Sequence, residues 1–147
     1  MTGTEEVGTG VALQLAGLKL SVWRNAMDHG HSPGAPKTLP HGKRRAWCVN
    51  DVVKLRFFAF LTDSGMQVPA ASELARQLEI GLLKDPDAAV QGVYVKRLNG
   101  LAEFFIRPEP PEGSELMMSL PVGKWRLAIR AELREVWRQK HGAAARA

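Results

Sequence analysis

Apolar residues recur along this chain with two different periods. Between Val11 and Ala16, and again from Leu20 to Asp28, the spacing is that of one helical face. Gly17 separates the two runs, so they read as two short helices joined by a tight turn. Thr9 is placed to cap the first, and Gly30 to end the second. Val52, Leu55, Phe58, Ala59 and Leu61 repeat the helical spacing over a longer third helix, which Asn50 or Asp51 can cap and Ser64-Gly65 closes. Val68 leads into a fourth, with Pro69 in its first turn and Leu74, Leu78 and Leu82 at four-residue intervals.

The period changes after Asp85-Pro86-Asp87. Val93 to Leu98 and Leu101 to Arg107 are rich in β-branched and aromatic residues, and Asn99-Gly100 lies between them. That dipeptide tolerates the positive φ that a two-residue hairpin turn demands. Pro108 to Gly113 reads as a loop and Leu116 to Leu120 as a third strand. Pro121 opens a last helix from Lys124 to about Lys140. Between the second and third helices, Pro33, Pro36 and Pro40 forbid a helix over His31 to Gly42 and leave a loop or a β-wing. No internal repeat of solenoid length occurs.

These elements imply an α+β protein: a winged helix-turn-helix domain over about 1–88, followed by a small β-hairpin-plus-helix unit over about 89–147. The segment Leu15-Ala16-Gly17-Leu18-Lys19-Leu20-Ser21-Val22-Trp23-Arg24 resembles the helix-turn-recognition-helix of the MerR family. Arg44-Arg45-Ala46-Trp47 is similar to that family's basic wing with its closing aromatic residue. Asn50 to Phe58 resembles the helix that follows the wing, and Leu61 to Val68 the turn after it. The resemblance covers a little over half of the chain and implies duplex DNA as partner. Asn25-Ala26 stand where the family carries paired aromatics, and a hairpin precedes the only candidate for its long dimerisation helix.

Charge sharpens this picture. The chain has 147 residues with a net charge of +5. From Lys19 to Arg56 there are eight Lys/Arg against two acids, and from Phe57 to Gly92 two against five. A basic region beside an acidic one suggests a surface aimed at a polyanion, nucleic acid first. On the second helix, Arg24 and Asn25 have the bidentate chemistry that reads guanine and adenine in a major groove. Lys19 and Ser21 suit phosphate contacts, as do Lys43, Arg44 and Arg45 on the wing. A solvated helix face and a basic loop kept for solubility are the plain alternatives.

The last helix carries an apolar stripe that includes Trp125, Ile129, Leu133 and Trp137, read as a dimer or partner surface. Homodimerisation suits two-fold symmetric duplex sites. Arg126, Arg130, Arg134 and Arg138 recur every four residues beside the stripe. They read first as a solvated face and otherwise as an extension of the DNA footprint.

Other chemistry finds little support. His29, His31, His41 and Cys48 match no compact zinc spacing, so no metal or other cofactor is expected. Glu103, Glu109 and Glu112 lack a paired nucleophile, and no phosphate-cradling glycine loop occurs, so an enzyme is not expected. Cys48 is the only cysteine, Met1 to Val7 has no apolar core, and no run is long enough to span a membrane. A cytoplasmic protein without membrane contact is the expectation. The functional expectation is a sequence-specific DNA-binding transcriptional regulator. An architectural or recombination-type DNA binder, or a protein–protein adaptor on the same fold, are the alternatives.

Overall fold

In the computed structural model, which describes residues 6–31, 33 and 46–146, five helices accompany a three-stranded antiparallel sheet. The order is α1 (Thr9–Ala16), α2 (Leu20–Asp28), α3 (Val49–Asp63), α4 (Val68–Gln77), a 3-10 turn (Ile80–Leu82), β1 (Gln91–Leu98), β2 (Leu101–Arg107), β3 (Glu115–Leu120) and α5 (Val122–Arg146). No helix among the described residues is long and apolar enough to cross a membrane.

α3 is the centre. Its periodicity predicts one core face, and Val52, Leu55, Phe58, Ala59 and Leu61 are indeed buried. Val53 and Phe57, four residues apart, are buried as well, together on another side of the helix. The helix is surrounded because α1, α4 and α5 all pack against it. Its first turn is capped earlier than the sequence suggested, two residues before Asn50. Cys48 is the N-cap, and its backbone N–H and its thiol both donate to Asp51 Oδ2, at 3.0 and 3.1 Å. Asp51 thus reaches back from the third helical position, one arm of a capping box.

Thr9 does not cap α1. Gly8 takes that place, and the Thr9 hydroxyl instead accepts a hydrogen bond from Trp47 Nε1 at 2.9 Å. Val7 and Trp47 also exchange backbone hydrogen bonds of 3.0 and 2.9 Å as an isolated bridge. Trp47 is fully buried, so one side chain ties the start of α1 to the start of α3. The four-residue spacing through Leu82 also fails. The chain leaves the helix after Gln77; Leu78 and Ile80 stay buried, while Leu82 is 81% exposed.

The hairpin forms as its turn chemistry dictates: Asn99 and Gly100 have φ of 53° and 80°. β1 is the central strand, with β2 and β3 antiparallel on either side and a bulge in β3 opposite Val93 and Tyr94. Val93, Ile106 and Leu120 lie in the same hydrophobic core as α1 to α4, with Phe104 and Met118 packed against it. Val122, Ile129 and Leu133 of α5 complete that core. The division expected at residue 88 therefore does not separate two cores; the two parts share one.

The junction is fixed by polar contacts. Arg126 Nη1 donates to Asp87 Oδ1 at 2.6 Å and its Nε to Asn50 Oδ1 at 2.9 Å, while Arg130 Nη2 donates to Asp87 Oδ2 at 3.0 Å. The stretch before β1, the start of α3 and the first turns of α5 are thereby joined. Partial burial raises the Asp87 carboxyl, but the Arg126 hydrogen bond and the Arg130 charge outweigh it and hold the carboxyl below its ordinary value. Next to this cluster, Gly123 N–H donates to the Ala89 carbonyl at 2.8 Å. A Cβ at Gly123 would collide with the Asp87 carbonyl and the Ala89 nitrogen, so only glycine permits this approach.

Asp87→Ala is expected to destabilise the fold by about 1–3 kcal/mol in urea titrations at neutral pH, because it leaves Arg126 without its carboxylate. A lowered carboxyl pKa contributes stability above the ordinary carboxylate range and loses it as pH falls through the lowered value. The difference between wild type and Asp87→Ala should therefore shrink in acid, and a gap that widens there is contrary to the cluster as described.

Candidate nucleic-acid interface

α1 and α2 are joined by a turn that only a few residue types allow. Gly17 is left-handed, with φ 71°. Its N–H donates to the Gln14 carbonyl at 3.1 Å, and Leu18 N–H to the Leu13 carbonyl at 3.0 Å. That double bond pattern ends a helix sharply and turns the following apolar residue, Leu18, back into the core. α2 ends the same way: Gly30 has φ 81°, and His31 N–H donates to the Ala26 carbonyl at 2.9 Å. Both ends of α2 are thus set by local backbone geometry.

Between those ends the helix has two distinct sides. Trp23 and Ala26 are buried, and the Trp23 ring meets Trp47 edge-on with centroids 6.2 Å apart. Ser21, Arg24, Asn25 and Asp28 are exposed and share the opposite side by their spacing; Lys19, at the N-cap, is exposed too. The structure brings together four of the residues that the sequence nominates for DNA contact: Lys19, Ser21, Arg24 and Asn25. The other three, Lys43, Arg44 and Arg45, lie outside the described residues.

One neighbour of this surface escaped the sequence reading. The N-terminus of α4 sits beside the C-terminus of α2, and Asn25, Ala26, His29, His31, Val68 and Pro69 line a shallow pocket of about 240 Å³ between them. His29 Nδ1–H donates to the Asn25 carbonyl at 2.8 Å. The only hint in the sequence is Pro69 at the start of a helix; nothing local says which element that start adjoins.

The C-terminal expectations need correction. Ile129 and Leu133 are buried in the chain's own core, so they have no surface to offer a partner. Trp125 is half-buried; its ring lies 5.6 Å from that of Phe60, with the Arg56 guanidinium 5.4 Å from its centroid. Trp137 stacks on His141, one turn on, at 4.2 Å. The arginine row is not a uniform solvated face either. Arg126 and Arg130 are held by Asp87, and Arg138 pairs with Glu135 at 3.0 Å. A carboxylate 39 residues upstream of Arg126 takes the inner half of the row into the fold.

Cys48, the N-cap of α3, follows Trp47 directly and is partly buried. Burial pushes its thiol up, the Asp51 backbone N–H works against that, and the nearby Asp51 carboxylate adds to the rise. The thiol therefore stays protonated at neutral pH and is a poor nucleophile.

Comparison with known proteins adds no relative: no family model, curated protein or solved structure matches the chain.

Arg24→Ala and Asn25→Ala should leave unfolding within about 0.5 kcal/mol of wild type, because both side chains are exposed, whereas Trp23→Ala should cost about 3–5 kcal/mol. Equal destabilisation by all three in thermal melts is contrary to the two-sided helix. Cys48 should react with an alkylating reagent far more slowly in the native protein than in urea at pH 7; equal rates show an accessible, unshifted thiol.

Proposed function

We propose that the protein binds duplex DNA and regulates transcription, with α2 as the helix that enters the major groove. The observation that carries this reading is the division of α2 into a buried side, Trp23 and Ala26, and an exposed side of Ser21, Arg24, Asn25 and Asp28. An α-helix is about 10–12 Å across with its side chains, and the major groove is about 12 Å wide. Arg24 donates two parallel hydrogen bonds to guanine O6 and N7, and Asn25 bonds adenine N6 and N7. Lys19 and Ser21 at the start of the helix reach phosphates and set its register. Asp28 disfavours phosphate at the far end, which orients the helix by repulsion.

Lys43, Arg44 and Arg45 supply the second phosphate-binding element. They immediately precede Ala46 and Trp47, and Trp47 packs on the buried side of α2. Trp47 is thus a fixed point against α2, and at no more than about 3.6 Å per residue the triplet's reach from it is short. Counterion release then makes affinity depend steeply on salt.

Fluorescence anisotropy with duplexes chosen from a randomised pool tests the reading. The logarithm of affinity should fall steeply with that of salt concentration. Replacing Lys43, Arg44 and Arg45 by Ala should flatten the slope by up to about three phosphate contacts. Arg24→Ala should cost about 1–3 kcal/mol at the preferred site and relax its sequence preference. A flat salt dependence points to the protein–protein adaptor instead, and an unchanged preference in Arg24→Ala removes α2 from the role of reader.

A further inference from the structure

The sheet has two edge strands, and they differ. β3 is broken by its bulge, whereas β2 pairs with β1 in unbroken register along its whole length; a proline follows each, Pro108 after β2 and Pro121 after β3. The turn at Asn99-Gly100 decides which backbone groups of β2 are in use. A two-residue turn of this kind closes with its flanking residues, Leu98 and Leu101, as a hydrogen-bonded pair, and such pairs alternate along the ladder. Leu101, Glu103, Phe105 and Arg107 therefore direct their N–H and C=O groups to β1. Ala102, Phe104 and Ile106 direct theirs to the open edge. In keeping with this, the Arg107 guanidinium folds back onto the Ile106 carbonyl at 2.8 Å.

Within β2 there is no proline, lysine or bulge, the devices that usually protect an edge. A groove of about 340 Å³ runs beside it, between Ala102, Phe104 and the α4 residues Leu74 and Gln77, and leaves room for incoming side chains.

What this edge offers is complementary to itself. Take two antiparallel copies of Glu103-Phe104-Phe105-Ile106-Arg107 related by a two-fold axis at Phe105. Glu103 of each then lies opposite Arg107 of the other, an opposite-charge pair made twice. Phe104 and Ile106 face each other as reciprocally hydrogen-bonded pairs, the Ile106 carbonyl exchanging its Arg107 guanidinium for the partner's Phe104 N–H as Arg107 turns to Glu103 of the second copy. On the outer face of the sheet, Leu116 neighbours Tyr94 and Tyr94 neighbours Phe105. Across the axis this row continues into the same row of the second copy. Leu98 and Leu101, 69% and 76% exposed, lie at the hairpin end of that face.

We propose that β2 pairs with β2 of a second copy of this chain, joining two three-stranded sheets into one continuous antiparallel sheet. The surface is distinct from the C-terminal tryptophan stripe, and it stands whether or not α2 binds DNA.

Sedimentation equilibrium gives the test. The wild type should approach twice the 16.2 kDa chain mass as concentration rises. E103R and R107E should each weaken association at least about tenfold, because each sets like charges opposite each other twice. Mixed in equal amounts, the two variants should associate with each other, since arginines at both positions of one then meet glutamates at both positions of the other. In the wild type, hydrogen exchange at the Ala102, Phe104 and Ile106 amides should slow as the dimer forms. This readout needs no variant to fold. A wild type that stays at single-chain mass into the high micromolar range overturns the proposal. So do single variants that associate as strongly as wild type, folded variants that ignore each other when mixed, or edge amides that exchange freely in the dimer.

Discussion

A helix that is apolar on nearly every side cannot present any of them to water, and the arrangement of this protein follows from having one at its centre. Val53 and Phe57 share one side of α3, Phe58 and Leu55 lie on another, and all four are buried. No single neighbour covers them. α1 takes one side, α4 another and α5 a third, with the sheet behind α4 and α5 extending the same core. Burying a Phe or Leu side chain contributes about 1.5–3 kcal/mol, so an uncovered flank of α3 is a large fraction of the stability of a small domain. The chain must bring its last helix back to its third, which is why the Asp87 cluster and the Gly123 contact matter beyond their size.

That same requirement shapes the candidate reading surface. α2 contributes little to the core beyond Trp23 and Ala26, and this leaves Ser21, Arg24, Asn25 and Asp28 free of structural duty. It is nevertheless held firmly. Left-handed glycines end α1 and α2, and the Trp23–Trp47 contact anchors the middle. A helix whose position is set by its buried side can vary its exposed side at little cost to the fold.

How much of this was legible in the sequence depended on how local the cause was. α2 runs from Leu20 to Asp28, within the segment that its apolar spacing and Gly30 marked. The hairpin was legible because Asn99-Gly100 has few other conformational options. Where the cause lay far along the chain, the reading failed. Nothing near Arg126 and Arg130 reveals that Asp87 will hold them, so they read as a solvated row. Ile129 and Leu133 read as a partner surface because a stripe does not say whether its cover comes from the same chain. Thr9 read as a cap for want of Trp47, its actual partner 38 positions later. The apparent boundary near residue 88 came from the change of period, which marks a change of local structure and carries no information about where the core ends.

The enclosure of α3 also constrains where the chain can be divided. Its walls come from segments on both sides of it in sequence, so the piece bearing α2 does not carry a complete core by itself. Gene fusion or domain shuffling at residue 88 would strip α3 of α5 and carry off an oily rod. The sheet and the final helix therefore belong with the first four helices as one block that must be kept or cut together.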